Sequence, residues 1–117
     1  KNFSLYSKAD SNEYFLTPNY DLLNTRFHIN EKYGDMALDL LDDYTTTYEK
    51  YGYYTYDDFK IFAKYIDLPE VRFNKIMKFI EDSYPKVEEL INKSFLSERA
   101  KEFYKSSYQD RMKRIKY

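Results

Sequence analysis

Apolar and polar positions change period along this chain, and the change divides it. Phe3 to Ser7 alternates apolar and polar residues, and Glu13 to Leu16 is rich in aromatic and aliphatic ones, so both runs are expected as short strands. Between them, Lys8-Ala9-Asp10-Ser11-Asn12 supplies side chains that satisfy the backbone donors of a tight turn. A hairpin folded about Asp10 brings Asn2 opposite roughly Pro18, where the ladder ends because Pro has no N–H to donate. Asp21 then lies just past the open end, near Asn2. Thr25 to Ile29 and Met36 to Leu41 are expected as further short strands, since Met36, Leu38 and Leu40 alternate with Ala37 and Asp39.

Near Tyr54 the period becomes helical. Thr55 with Asp57 and Asp58 makes an acidic helix start, and Phe59, Phe62, Ala63 and Ile66 form one face before Pro69 interrupts. From Pro69 onward, Phe73, Ile76, Met77, Ile80, Tyr84, Val87 and Ile91 recur at helical steps, with Pro85 expected to kink or split the segment. Ser97-Glu98 opens a last helix in which Ala100, Phe103, Tyr104, Ser107, Arg111 and Ile115 share a face. The expected fold is α+β and mostly helical, in a single domain. An N-terminal β-hairpin with short strands (1–54) precedes a layer of three to four helices (55–117).

Composition sharpens this picture at three points. Hydrophobic residues make up 43% of the 117, and 15 Tyr and 9 Phe carry much of that, so the core is built of rings, many with a polar handle. The absence of Cys excludes disulfides and thiolate metal sites. No apolar run approaches the roughly 20 residues that span a bilayer, so a soluble, cytoplasmic protein without a membrane role is expected. Arg111, Lys113, Arg114 and Lys116 crowd the C-terminus. With a net charge of -1, they suit the end of a helix dipole better than a nucleic-acid surface.

Two further features could carry chemistry. The segment from Asp42 to Tyr54 holds tyrosines at 44, 48, 51, 53 and 54. It reads either as a partner site or as a long hairpin whose rings cover the helices beneath. His28 is the only histidine, and no neighbouring residues complete a triad or a recognised metal spacing with Asp35 or Asp39. It reads as a loop or edge residue.

The hairpin itself places an amide, Asn2, and a carboxylate, Asp21, at matching ends of two strands, which suits sharing one hard cation such as Mg²⁺. The same residues also suit a plainer reading, with Asn2 a terminal residue and Asp21 the cap of a turn before Leu22-Leu23. The run Lys1-Asn2-Phe3-Ser4-Leu5-Tyr6, followed by Phe15-Leu16-Thr17-Pro18-Asn19-Tyr20-Asp21-Leu22-Leu23-Asn24-Thr25, resembles the HipA family of toxin serine/threonine kinases. In that family a catalytic loop ending in Lys-Asn is followed by a strand pair and a Pro-x-Tyr-Asp motif. Leu68-Pro69-Glu70-Val71, leading into a periodic helix, resembles the family's helical tail.

The resemblance implies part of the large lobe of a protein-kinase-like fold, with Asn2 and Asp21 holding Mg²⁺ on ATP and Lys1 on the cofactor side. It implies partners too: a protein substrate such as an aminoacyl-tRNA synthetase, a helix-turn-helix antitoxin, and DNA only through that antitoxin. The family's catalytic Asp, phosphate-covering loop and ATP-pairing Lys are not among these residues. The chain alone is therefore expected to be a catalytically silent C-terminal piece that binds no cofactor, with no catalytic residue of its own. The alternative is a helical interaction domain that docks an antitoxin or another partner through the Tyr44–Tyr56 segment or the basic last helix.

Overall fold

The computed structural model describes residues 3–22, 27 and 39–116. A two-stranded antiparallel sheet pairs β1 (Leu5–Ser7) with β2 (Tyr14–Leu16) in the register Leu5↔Leu16, Tyr6↔Phe15 and Ser7↔Tyr14. The turn forms where the sequence places it. Asp10 takes a left-handed φ of 67°, a conformation that short polar Asp tolerates, and Ser11 donates its N–H to the Lys8 carbonyl at 3.2 Å. Thr17 donates to the Ser4 carbonyl at 2.9 Å, so the ladder continues to the residue before Pro18 and stops there.

The helical part begins earlier than Tyr54. α1 (Thr46–Tyr51) lies inside the tyrosine-rich segment, which is neither a loop nor a hairpin. Its sequence argues weakly for helix, since Thr and Tyr are indifferent helix formers, but both ends carry stop signals. The Thr45 hydroxyl accepts from Tyr48 N–H at 3.1 Å, and Gly52 closes the other end with φ 72°. The expected strand over 36–41 is also corrected in its described portion. Leu40 and Leu41 lie in a bend, and Leu40 N–H reaches the Tyr54 hydroxyl at 3.0 Å instead of a strand partner. The remainder of that strand, the strand over 25–29, Asp35 and His28 lie outside the described residues, apart from Phe27, whose ring meets Phe103 edge-on at 5.4 Å.

α2 (Tyr56–Tyr65), α3 (Glu70–Asp82), α4 (Tyr84–Lys93) and α5 (Glu98–Ile115) follow the expected starts and stops. Pro85 falls in the first turn of α4, where its missing N–H costs nothing, and its ring excludes a continuous helix from α3. Ser83 serves both ends of the break, and its hydroxyl donates to the Phe79 carbonyl at 2.7 Å. α5 starts at Ser97, whose side chain accepts from Ala100 N–H.

The core sits in the helical layer, at Tyr54, Ala63, Phe73, Ile91, Ala100 and Met112. Lys60 on α2 pairs with Glu70 at the start of α3 at 2.9 Å; this hydrogen bond and its charge hold the Glu70 carboxyl below its ordinary range. Among the described residues, no helix is long and apolar enough to cross a membrane.

Candidate functional site

Asp58 is the one fully buried charged residue described, and it organises the corner between α1 and α2. As the third residue of α2 it closes a capping box with Thr55, accepting from Thr55 N–H at 2.6 Å and from the Thr55 hydroxyl at 2.8 Å. Its other oxygen accepts from the hydroxyl of Thr45, the residue that caps α1. One carboxylate thus secures two helix starts. The ring stack Tyr44–Tyr48–Tyr54 packs over this corner, with centroids 4.6 and 4.4 Å apart. Sequence reading registered Asp58 only as an acidic first-turn residue.

The corner sets two aromatic residues beside the end of α5. The Arg114 guanidinium lies 4.3 Å from the centre of the Tyr53 ring and pairs with Asp110 at 2.5 Å. Tyr51 stacks with Tyr53 at 5.8 Å, and the Lys50 ammonium lies 4.9 Å from the Tyr51 ring. A hollow of about 460 Å³ opens here, lined by Tyr51, Tyr53 and Asp57 on one side and Lys113, Arg114 and Lys116 on the other. A second hollow of about 440 Å³ lies along α5, lined by Phe103, Ser107 and Asp110 and again by Lys113 and Arg114. The tyrosine segment and the basic C-terminus, separate in the sequence, are therefore two walls of one place.

The other candidate is the open end of the hairpin. The Ser4 hydroxyl and the Tyr20 hydroxyl are hydrogen bonded at 2.7 Å, which draws the Pro18-Asn19-Tyr20 segment back toward the start of β1. Asp21 follows, exposed and left-handed with φ 53°. Lys1 and Asn2 lie outside the described residues. Among those that are described, no three His, Cys, Asp or Glu side chains gather into a group able to hold a metal ion. An exposed carboxylate is nonetheless a donor of the right chemistry for Mg²⁺, which typically takes one or two carboxylates and completes its shell with water and phosphate oxygens. Asp21 fits such a role as one oxygen ligand.

Comparison with known proteins adds no identity: no family model, no curated protein and no solved structure matches the chain.

Proposed function

We propose that this chain is part of the large lobe of a HipA-like serine/threonine kinase, in which Asp21 and Asn2 would hold the Mg²⁺ that accompanies ATP. The observation that carries the reading is the hairpin end. The Leu5↔Leu16 register and the Ser4–Tyr20 hydrogen bond bring the Pro-x-Tyr-Asp segment back beside the strand that follows Lys1-Asn2. A shared metal requires those two stretches to be neighbours. When bound, the metal would neutralise charge that develops on the transferred phosphoryl group. The chain's own contribution is to hold one carboxylate just past the open end of a short, turn-closed ladder. Under this reading the helices are scaffold, the protein acts in the cytoplasm on a protein substrate such as an aminoacyl-tRNA synthetase, and DNA is reached through a helix-turn-helix antitoxin.

A second support is the surface of the hairpin. Phe3, Leu5, Tyr14 and Leu16 share one face by register, and they are 75, 64, 73 and 69% exposed. A contiguous apolar face of this kind marks a contact surface, as a strand pair inside a larger lobe requires.

The test is Asp21→Asn in the full-length protein, read by Mg²⁺-ATP autophosphorylation and by circular dichroism. Phosphorylation lost with an unchanged spectrum is the expected result. A substituted protein that phosphorylates as well as the parent overturns the assignment.

A further inference from the structure

We infer that the two hollows meeting at Lys113 and Arg114 form one docking groove for a short acidic peptide segment of a partner protein. The argument starts from shape. Each hollow, at about 460 and 440 Å³, is on the scale of a small-ligand site, but they share Lys113 and Arg114 as lining residues and so adjoin. Joined in this way they make an elongated trough, which suits an extended chain better than a compact molecule.

Charge selects the kind of chain. Lys113, Arg114 and Lys116 line the trough together with two carboxylates, Asp57 in one hollow and Asp110, which is paired with Arg114, in the other. A polymer with a charge on every unit, such as nucleic acid, would carry its phosphates past both carboxylates. A peptide with only two or three acids and uncharged flanks can set its acids against Lys113 and Lys116 and place uncharged residues beside the two carboxylates. Lys113 is exposed and has no ion-pair partner among the described residues. Lys116 is held by Glu81 only through a surface pair at 3.4 Å, which an incoming carboxylate can replace at little cost.

The rings complete the match. Tyr51 and Tyr53 are stacked beside the cations, and Tyr53 is already fixed under the Arg114 guanidinium. Rigid aromatic side chains next to Arg are the usual anchors of a protein interface, because they offer large contact area at small entropic cost. A flanking aliphatic or aromatic side chain of the peptide would pack against them while its acids face Lys113 and Lys116. Neither Asp21 nor the hairpin takes part, so the groove and the metal assignment stand or fall separately.

The experiment is selection of random short peptides displayed on phage against the 117-residue chain, followed by fluorescence polarisation of the enriched peptides. Enrichment of peptides with adjacent central acids and an apolar flank is expected, and their affinity should fall as salt is raised from about 0.1 to 0.5 M. Lys113→Glu combined with Lys116→Glu should weaken binding at least about tenfold, and Tyr51→Ala should weaken it about fivefold, with circular dichroism unchanged in both. No enrichment, enrichment of uncharged or basic peptides, or affinity indifferent to the charge reversal would overturn the inference. So would displacement of the peptide by single-stranded oligothymidine at lower concentration than by the peptide itself, which would mark a nucleic-acid groove.

Discussion

Asp58 shows how much one side chain can decide. Its carboxylate is buried and fully engaged by two threonine hydroxyls and a backbone N–H, so replacing it by Ala removes the reciprocal half of the α2 capping box and leaves the Thr45 and Thr55 hydroxyls and the Thr55 N–H without their acceptor. Asp58→Ala is expected to destabilise the fold by about 2–4 kcal/mol in urea denaturation, with Asn, which keeps one oxygen acceptor, costing less. Only half of this node was legible in the sequence. Thr55 and Asp58 stand at capping-box spacing, but Thr45 lies thirteen residues upstream in a segment whose composition hides a helix. Tyr108 offers a second residue-level test. Burial, and then the neighbouring Tyr84 stacked at 5.6 Å, push its phenol above the ordinary value of 10.0. A phenol with a raised pKa holds its proton more tightly in the folded protein. Its contribution to stability is therefore complete below pH 10.0 and is lost as pH rises through the folded value. Tyr84→Phe removes the second cause, and the latest step of the phenolate absorbance titration should move to lower pH.

At the scale of elements, helix ends carry the most information. α2 closes with Leu68 N–H on the Ala63 carbonyl at 2.8 Å and Asp67 N–H on the Lys64 carbonyl at 3.1 Å, the paired bonds of a Schellman turn. Its left-handed position, at φ 55°, is held by Asp67 where glycine is usual. Asp67→Gly is expected to raise stability by about 0.5–1 kcal/mol, read from the thermal midpoint. Gly52 gives the opposite experiment. No atom lies within 4 Å of where a Cβ would stand, so the effect of Gly52→Ala is backbone strain alone, about 1 kcal/mol of lost stability. These ends explain what could be read beforehand. Thr55, Pro69 and Ser97 mark the starts of α2, α3 and α5, Pro85 leaves a kink or a split open where the structure has a split, and Asp10 marks the hairpin turn. α1 is hidden because its threonines and tyrosines are weak helix formers, although Thr45 and Gly52 frame it as start and stop. The groove was legible only as two unrelated features, because sequence distance gives no sign that the ring-bearing corner and the end of α5 are neighbours.

For the whole molecule, the distribution of burial matters most. Every buried residue described lies between Tyr54 and Met112, and the hairpin contributes none. The Cα radius of gyration, 16.9 Å, is well above the roughly 13 Å of a compact 100-residue domain, in keeping with a chain whose burial is confined to the helical part. Leu5→Ala and Leu16→Ala are therefore expected to change the unfolding free energy of the 117-residue chain by no more than about 0.5 kcal/mol each. If the larger lobe proposed above covers this face, the same substitutions in the longer protein should cost about 2–5 kcal/mol each. Equal small effects in both proteins would leave the hairpin face without a place in a larger lobe. The shared carboxylate of Asp58 also bears on the order of assembly. Its partners are close in sequence, so the α1–α2 corner closes a short loop, a fast event compared with joining distant helices. The Thr45–Asp58 bond ties two locally capped helix starts together, which makes the corner a natural folding nucleus: weakening it should slow refolding more than it hastens unfolding.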